Sequence, residues 1–270
     1  MLRNAGKLAA IAAHEAGNGM AAAGAALLTG ASYGVGVATA LALARAGYDV
    51  AVTATKVENL APTRKALEEC GRRVLPAALD LRSEADIARV ASEVFAAMGG
   101  LDVLVNNAGA NLRKDATDVT AAEWDALMAV NIRGTFFLTQ AVGRAMIASG
   151  RGGAIVSIAS THALAGAPER STYGISKAAL LGMTRMLAVE WAEHGIRVNA
   201  VAPGRLATPS PSRAGKGADK TYMEAMLERI PLHRQATVGE VAAAVVYLVS
   251  PAAASITGQV LVLDGGLTAA

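Results

Sequence analysis

The sequence predicts an α/β protein, with a single doubly wound parallel sheet covered by helices on both faces. Two observations carry this. Short apolar runs alternate with longer helical patterns from residue 25 to residue 263, and that alternation requires crossovers that place helices on both sides of a parallel sheet. In addition, a glycine turn, Thr29-Gly30-Ala31-Ser32-Tyr33-Gly34-Val35-Gly36, joins the first expected strand to the first expected helix.

The strands are expected at Ala25–Leu28, Val50–Ala54, Val74–Ala78, Val103–Asn106, Ala154–Ile158, Arg197–Val201 and Val260–Leu263. Helical patterns fill the intervals at 35–47, 57–70, 84–98, 120–148, 172–194 and 238–249. No repeat or linker divides the chain, so residues 20–270 are expected to form one domain, a size that 270 residues allow. Residues 1–19 read as a flexible extension, with Met20 as an alternative start. The stretch 203–232 breaks the pattern. It holds Pro203, Pro209, Pro211 and Pro231 and reads as a long loop or lid with a short helix around Thr221–Arg229. Its place after a strand's carboxyl end suits an active-site cover.

Composition removes several function classes. A net charge of +3 without a long like-charge run gives no nucleic-acid footprint. Residues 16–44 carry no charge and are long enough to suggest a membrane span. Gly24, Gly30, Gly34 and Gly36 and the polar Thr29, Ser32 and Tyr33 make strand, turn and helix the better parse. One cysteine, Cys70, excludes an internal disulfide and a multi-cysteine metal site, and fits a reducing cytoplasm. The four histidines, at 14, 162, 194 and 233, have no metal-ligand spacing, so no metal is expected. With 53% hydrophobic but only 4% aromatic residues, the core must be built from Ala, Val and Leu.

Five motifs bear on chemistry. The glycine turn lets main chain approach a pyrophosphate at a helix N-terminus, where free N–H groups and the dipole favour an anion. Tyr173 and Lys177, at i and i+4, share one helix face. A nearby ammonium favours the phenolate, which suits a proton donor and acceptor near neutral pH. Ser160 lies just past a strand and could hydrogen-bond a substrate oxygen, with Ser157 as its competitor. Asn106-Asn107-Ala108-Gly109 ends another strand. Asn131 falls inside a long helical pattern, where asparagine is a mediocre helix former and could bind a water.

Together these motifs resemble the short-chain dehydrogenase/reductase family, from about Ala23 to Leu267. Thr29–Gly36 is similar to its T-G-x-x-x-G-x-G, Asn106–Gly109 to its N-N-A-G and Tyr173–Lys177 to its Y-x-x-x-K, with Ser160, Asn131, Pro203-Gly204 and Asp264-Gly265-Gly266 in order. The resemblance implies a Rossmann-like sheet of about seven strands. It also implies hydride transfer between a nicotinamide and a carbonyl or secondary alcohol, in a homotetramer or homodimer. By residue it implies Tyr173 as acid/base, Lys177 as its pKa-lowering partner and ribose ligand, Ser160 on the substrate oxygen, and Asn131 on a relay water. Gly30, Ser32, Tyr33, Gly34, Val35 and Gly36 are implied around the pyrophosphate, Asp80 and Leu81 at the adenine, and Asn107, Ala108 and Gly109 along the cleft. Pro203, Gly204, Leu206 and Thr208 are implied over the nicotinamide.

NADP(H) is expected over NAD(H). The end of the second strand carries Ala54 where NAD-selective folds place an acid, followed by Thr55 and Lys56. No arginine occupies this turn, so NAD(H) stays open. A 3-oxoacyl thioester is one substrate candidate; Arg151 and His194 stand where related reductases grip an acidic carrier protein. A sugar, polyol or small secondary alcohol is the alternative, with Ser160-Thr161-His162 resembling the Ser-x-His of some glucose dehydrogenases and His162 as a substrate contact. A non-catalytic dinucleotide sensor would not need Ser160, Tyr173 and Lys177 together. A sugar-nucleotide epimerase would usually carry a C-terminal substrate domain, which this chain does not show.

Overall fold

The structure is a computed structural model that describes residues 24–206, 225 and 227–270. The expected extension 1–19 and Thr208 lie outside the described residues, as does most of the helix expected around Thr221–Arg229, of which Ala225, Leu227 and Glu228 are helical.

Seven strands form one sheet in the order β3-β2-β1-β4-β5-β6-β7. They are β1 (Ala25–Thr29), β2 (Asp49–Ala54), β3 (Val74–Ala78), β4 (Val103–Asn106), β5 (Gly153–Ile158), β6 (Ile196–Pro203) and β7 (Val260–Leu263). Every pairing is parallel. The helices are α1 (Gly34–Arg45), α2 (Ala61–Glu68), α3 (Glu84–Met98), α4 (Ala121–Met128), α5 (Thr135–Ser149), α6 (Ser171–Glu190) and α7 (Val238–Val249). The doubly wound sheet is the expected one, and β3, β4 and β7 have the expected bounds.

Four boundaries differ for identifiable reasons. The helix expected over 57–70 opens with a 3-10 turn, Val57–Leu60, because Pro62 belongs in the first turn of α2. The single helix expected over 120–148 is α4 and α5 joined by a π-helical turn, Ala129–Gly134. The helix expected to reach residue 194 gives way after Glu190 to a short 3-10 turn ending at Gly195, whose φ is +69°. Finally, β6 runs on through Pro203, where its pairing with Leu263 of β7 holds the last residue in the sheet.

Strand alternation builds the two cores. Ala26 and Leu28 of β1 face one side with Val50, Val52, Val103, Val105 and Val156, packed under Ala40 and Leu43 of α1 and Val241, Val245 and Leu248 of α7. Ala25 and Leu27 face the other with Leu104, Ile155 and Val198, under Val90 and Val94 of α3, Leu138, Val142 and Met146 of α5, and Leu187 of α6. Both faces are covered, so the strands read as nearly continuous apolar runs. The chain adds β2 and β3 on one side of β1 and then returns to place β4 on the other. That reversal opens a crevice at the carboxyl ends of β1 and β4, where ligands bind in open α/β sheets.

Two glycines make the frame testable. A Cβ on Gly134, in the π-helical turn, would collide with the carbonyl oxygen of Leu81, whereas one on exposed Gly239 in α7 meets nothing nearer than 3.8 Å. Gly134→Ala is expected to destabilise the fold by roughly 1–3 kcal/mol, the usual cost of overpacking. Gly239→Ala is expected to stabilise it by about 0.4–1 kcal/mol through the unfolded chain. Denaturant midpoints of the two variants check this, and the reverse order would contradict the packing described.

Candidate active site

The strand ends deliver the motif residues to one crevice. After β1 the chain turns through Gly30 (φ +71°), whose missing Cβ would lie 2.8 Å from the Cα of Ala108. A Cβ on Gly36 would overlap the carbonyl of Gly30. These two glycines therefore let β1, α1 and the Asn106–Gly109 loop meet at main-chain distance. Thr29 fastens the same junction. Its Oγ1 accepts from the N–H groups of Asn107 (3.1 Å) and Ala108 (3.0 Å) and donates to the carbonyl of Val105 (3.4 Å). The amide of Asn107 donates to the carbonyls of Thr29 (2.9 Å) and Gly30 (2.8 Å).

The N-terminus of α1 fits an anionic group. Tyr33 at the N-cap makes no side-chain cap, and no acidic residue lies in the first turn. Gly34 has φ +61° with no atom within 4 Å of the Cβ position. An uncapped helix start with open space before it is where a pyrophosphate binds. Ser32 and exposed Tyr33 flank it, and Val35 packs against the core behind. Thr55 and Lys56 are exposed past the end of β2, while Ala54 is buried. Past β3, the Asp80 carboxylate is held by the guanidinium of Arg82 (2.7 Å), which keeps its pKa below the usual carboxylate range; Leu81 beside it is buried.

On the other side of the crevice stand Tyr173, Lys177, Ser160 and Asn131. Lys177 is buried, at 4% relative exposure. Its Nζ donates to the carbonyl of Ile158 at the end of β5 (2.8 Å) and sits 5.7 Å from the centroid of the Tyr173 ring. Burial lowers its pKa to about 8, so it is still largely protonated at pH 7. Gly109 leaves room here: a Cβ on it would stand 3.3 Å from Asn131 Oδ1 and 3.4 Å from Lys177 Nζ. Those two polar atoms thus converge on one space.

Asn131 lies in the π-helical turn, an insertion that often marks a functional position. Its amide donates to the carbonyl of Ala110 (3.0 Å) and to Ser176 Oγ (2.9 Å), and its Oδ1 accepts from Ala110 N (2.7 Å). Ser176 Oγ donates in turn to the carbonyl of Tyr173 (2.7 Å). A chain of bonds therefore runs from the Gly109 loop through Asn131 to the turn carrying Tyr173. Ser160 Oγ accepts from His162 N (3.2 Å), which leaves its O–H hydrogen to donate elsewhere. The His162 ring meets the Tyr173 ring edge-on at 6.1 Å. Burial, and then the charge of Arg170, lower the His162 pKa. Ser157, the competitor of Ser160, is fully buried and accepts from Asn106 Nδ2 (3.4 Å), away from the crevice.

Pro203 ends β6. Gly204 N donates to the carbonyl of Leu263 (2.9 Å), and Leu206 forms a parallel bridge with Ala236. Among the described residues no cluster of His, Cys, Asp or Glu could hold a metal, and no helix is long and apolar enough to cross a membrane. Sequence reasoning missed the roles of Thr29 and Ser176. Both stand inside quoted motifs, but only the fold shows which main-chain groups they reach.

The chain matches a family model described as enoyl-(acyl carrier protein) reductase over residues 30–268. It is 36% identical over 241 residues to the 2-dehydro-3-deoxy-D-gluconate 5-dehydrogenase of Escherichia coli K12, covering 89% of this chain and 94% of that one. It is 40% identical over 243 residues to the 3-oxoacyl-acyl-carrier-protein reductase FabG of Thermotoga maritima, covering 89% and 96%. A solved structure of a candidate short-chain alcohol dehydrogenase from Sinorhizobium meliloti 1021 superposes with a TM-score of 0.88 at 45% identity, covering 93% of this chain and 98% of that one. With the glycine turn, the buried lysine and the parallel seven-stranded sheet in place, the chain belongs to the short-chain dehydrogenase/reductase family and is an oxidoreductase of alcohol and carbonyl groups.

Proposed function

We propose that the crevice transfers a hydride between a nicotinamide dinucleotide, with NADP(H) favoured, and a secondary alcohol or ketone, with Tyr173 as acid/base. The observation that carries this is the buried Lys177 ammonium beside the Tyr173 ring, at the sheet's reversal point. The dinucleotide, when bound, supplies or takes up the hydride. The uncapped start of α1, with Gly30, Gly34 and Gly36, would hold its pyrophosphate, and Asp80 and Leu81 its adenine end. Asn107, Ala108, Gly109, Lys177, Pro203, Gly204 and Leu206 would hold its nicotinamide end, and Thr208, outside the described residues, is assigned there with them.

The side chains do the proton work. Ser160 donates to the substrate oxygen and orients it toward Tyr173 Oη. In reduction Tyr173 gives its proton to that oxygen; in oxidation it takes the proton back. Lys177 lowers the phenol pKa through its charge. Burial makes that charge effective, because a charge in the protein interior is screened less than one in water. Asn131 Oδ1 and Lys177 Nζ flank a space beside Gly109 that suits the relay water.

A 3-oxoacyl thioester is one substrate reading, and a sugar, polyol or small secondary alcohol is the alternative. The guanidinium of Arg151 stands beside Gly100, at the place a Cβ would take, and His194 stands beside Glu193 at 3.8 Å. The thioester reading stands, since Arg151 and His194 are both exposed cationic or ionisable groups that an acidic carrier could meet. His162, against Tyr173, is a polar contact suited to hydroxylated substrates. A cytoplasmic homotetramer or homodimer is part of the same proposal. Met186 (64% exposed) and Val189 (80%) on α6 and Leu261 (36%) on β7 are the apolar groups that assembly would cover.

Two experiments test the proposal. Tyr173→Phe is expected to lower turnover at least 100-fold while cofactor affinity changes little, since general acid–base catalysis contributes on the order of 10²–10⁴-fold. In Lys177→Met, loss of the cation raises the phenol pKa, so the ascending limb of alcohol oxidation against pH moves up by about 1–3 units. Activity of Tyr173→Phe within tenfold of wild type, or an unmoved pH limb, would remove the assignment.

For the cofactor, kcat/KM is expected to favour NADP(H), because no acid repels a 2′-phosphate at the end of β2. Ala54→Asp is expected to reverse the ratio by like-charge repulsion. The ratio is the readout because a general loss of stability would lower both values together. A wild-type protein at least tenfold better with NAD(H) would show that Thr55 and Lys56 do not read the ribose.

A further inference from the structure

The glycine turn before α1 is fastened at one buried residue, Ala31, by two hydrogen bonds that take no part in the proton chemistry. Ala31 N donates to the carbonyl of Thr53 (2.9 Å), near the end of β2. Thr63 Oγ1, in the first turn of α2, donates to the Ala31 carbonyl (2.8 Å). Ala31 is fully buried, and Thr63 is buried with it. The two main-chain polar groups of a single residue therefore hold both ends of the segment between Thr53 and Thr63. Thr55 and Lys56 lie in that segment, exposed past β2, and exposed Asn59 follows in its 3-10 turn. Leu60 anchors the segment in the same apolar core as Ala31.

The same bonds set the direction of main-chain donors. A peptide unit is planar and trans, so its C=O and N–H point in opposite directions. In the unit joining Gly30 to Ala31, the Gly30 carbonyl accepts from Asn107 Nδ2 (2.8 Å) while the Ala31 N–H meets Thr53, so that unit is held at both ends. In the unit joining Ala31 to Ser32, the carbonyl meets Thr63, so the Ser32 N–H points away from Thr63. That N–H makes no hydrogen bond among the described residues, and it stands just ahead of the uncapped start of α1. The Thr63 hydroxyl thus orients a donor that the fold itself does not use.

We propose that Thr63 is a positioning residue for the dinucleotide: its hydroxyl closes the segment assigned to the adenine ribose onto the glycine turn and keeps the Ser32 N–H aimed at the bound phosphates. This rests on the reading that the start of α1 binds the pyrophosphate of a nicotinamide dinucleotide. Thr63 is buried behind the turn and acts through Ala31. Donors aimed before the ligand arrives need no ordering on binding, and affinity gains accordingly. Without the hydroxyl, the buried Ala31 carbonyl must turn to find another donor, because leaving it unmatched is costly. The Ser32 N–H then turns with it, since one plane carries both.

The test is calorimetric titration of wild type and Thr63→Val with NADPH and with NADH. Valine keeps the shape of the side chain and removes the donor. The Kd of the dinucleotide that wild type binds more tightly is expected to rise roughly tenfold or more. Thr63→Ser keeps the hydroxyl and is expected to stay within about threefold of wild type. Thr63→Ala removes the donor with less bulk and supplies the same comparison if the valine protein does not fold. Calorimetry reads the number of sites apart from Kd, so a partly unfolded variant lowers the first and leaves the second unmoved. Thr184→Val is the control. Thr184 is fully buried on α6, its hydroxyl donates to the Leu180 carbonyl (2.8 Å), and its loss is expected to leave Kd at the wild-type value. A Kd unchanged in Thr63→Val and Thr63→Ala, or an equal rise in Thr184→Val, overturns the proposal and leaves the dinucleotide reading in place. A wild type that binds neither probe removes the dinucleotide reading, and this proposal with it.

Discussion

An ammonium group enclosed by protein is the constraint on which the rest of this site depends. Lys177 lies within the packed face of α6, and its charge is met by the carbonyl of Ile158. Removing a charge from water is costly unless it is hydrogen-bonded, and the depressed pKa of about 8 expresses that cost. The surroundings are arranged so that the lysine can stay there. β5 ends at Ile158, whose carbonyl meets the ammonium, and Gly109 keeps the space beside Lys177 Nζ open. Tyr173 must precede the lysine by one helical turn, so that the cation faces the phenol. Such stability is given up for function, as is common where an activity needs a destabilised group.

The second organising feature is the interruption between α4 and α5. A regular helix would carry Asn131 past the crevice without letting its amide reach both Ala110 and Ser176. The π-helical turn admits an extra residue, and Gly134 at its end lets this segment press against the Leu81 main chain. Leu81 and the hydrogen bonds of Asn131 are thereby joined through one short segment. The Arg113–Glu169 and Arg170–Asn111 bridges close the opposite edge.

Much of this was legible in the sequence. Seven strands and the glycine turn follow from alternating apolar runs, and Tyr173 with Lys177 from helical spacing. The interruption at Asn131 was not legible, because its residues fit the helical pattern on both sides and a π-helical turn leaves no mark in hydrophobic periodicity. The extension of β6 to Pro203 was hidden by a residue that usually ends a strand; only the pairing with Leu263 keeps it in the sheet. Thr29 and Ser176 were visible as motif letters, but their hydrogen bonds reach residues far apart in the chain, at 107 and 131, and no local pattern encodes them. The hydrogen bond from Arg170 to Asn111 joins positions 59 apart in the chain, and the positive φ of its neighbour Glu169 is one that the residue type does not announce.

The most direct test of the central claim is the pH dependence of stability, measured in the Tyr173→Phe background so that the phenol does not titrate. Folded Lys177 has a pKa of about 8, against an ordinary value of 10.5. Between these values the unfolded chain binds more protons than the folded one, so stability rises with pH. Below about pH 8 both states are charged, and the penalty of burial is present in full; above 10.5 both are neutral, and it is gone. The Tyr173→Phe protein should therefore be less stable than Tyr173→Phe/Lys177→Met at pH 7, and chemical denaturation should show that gap narrowing steadily from pH 8 to 10.5. A gap that stays constant across this range would show that Lys177 titrates as an ordinary surface lysine, and would contradict the account.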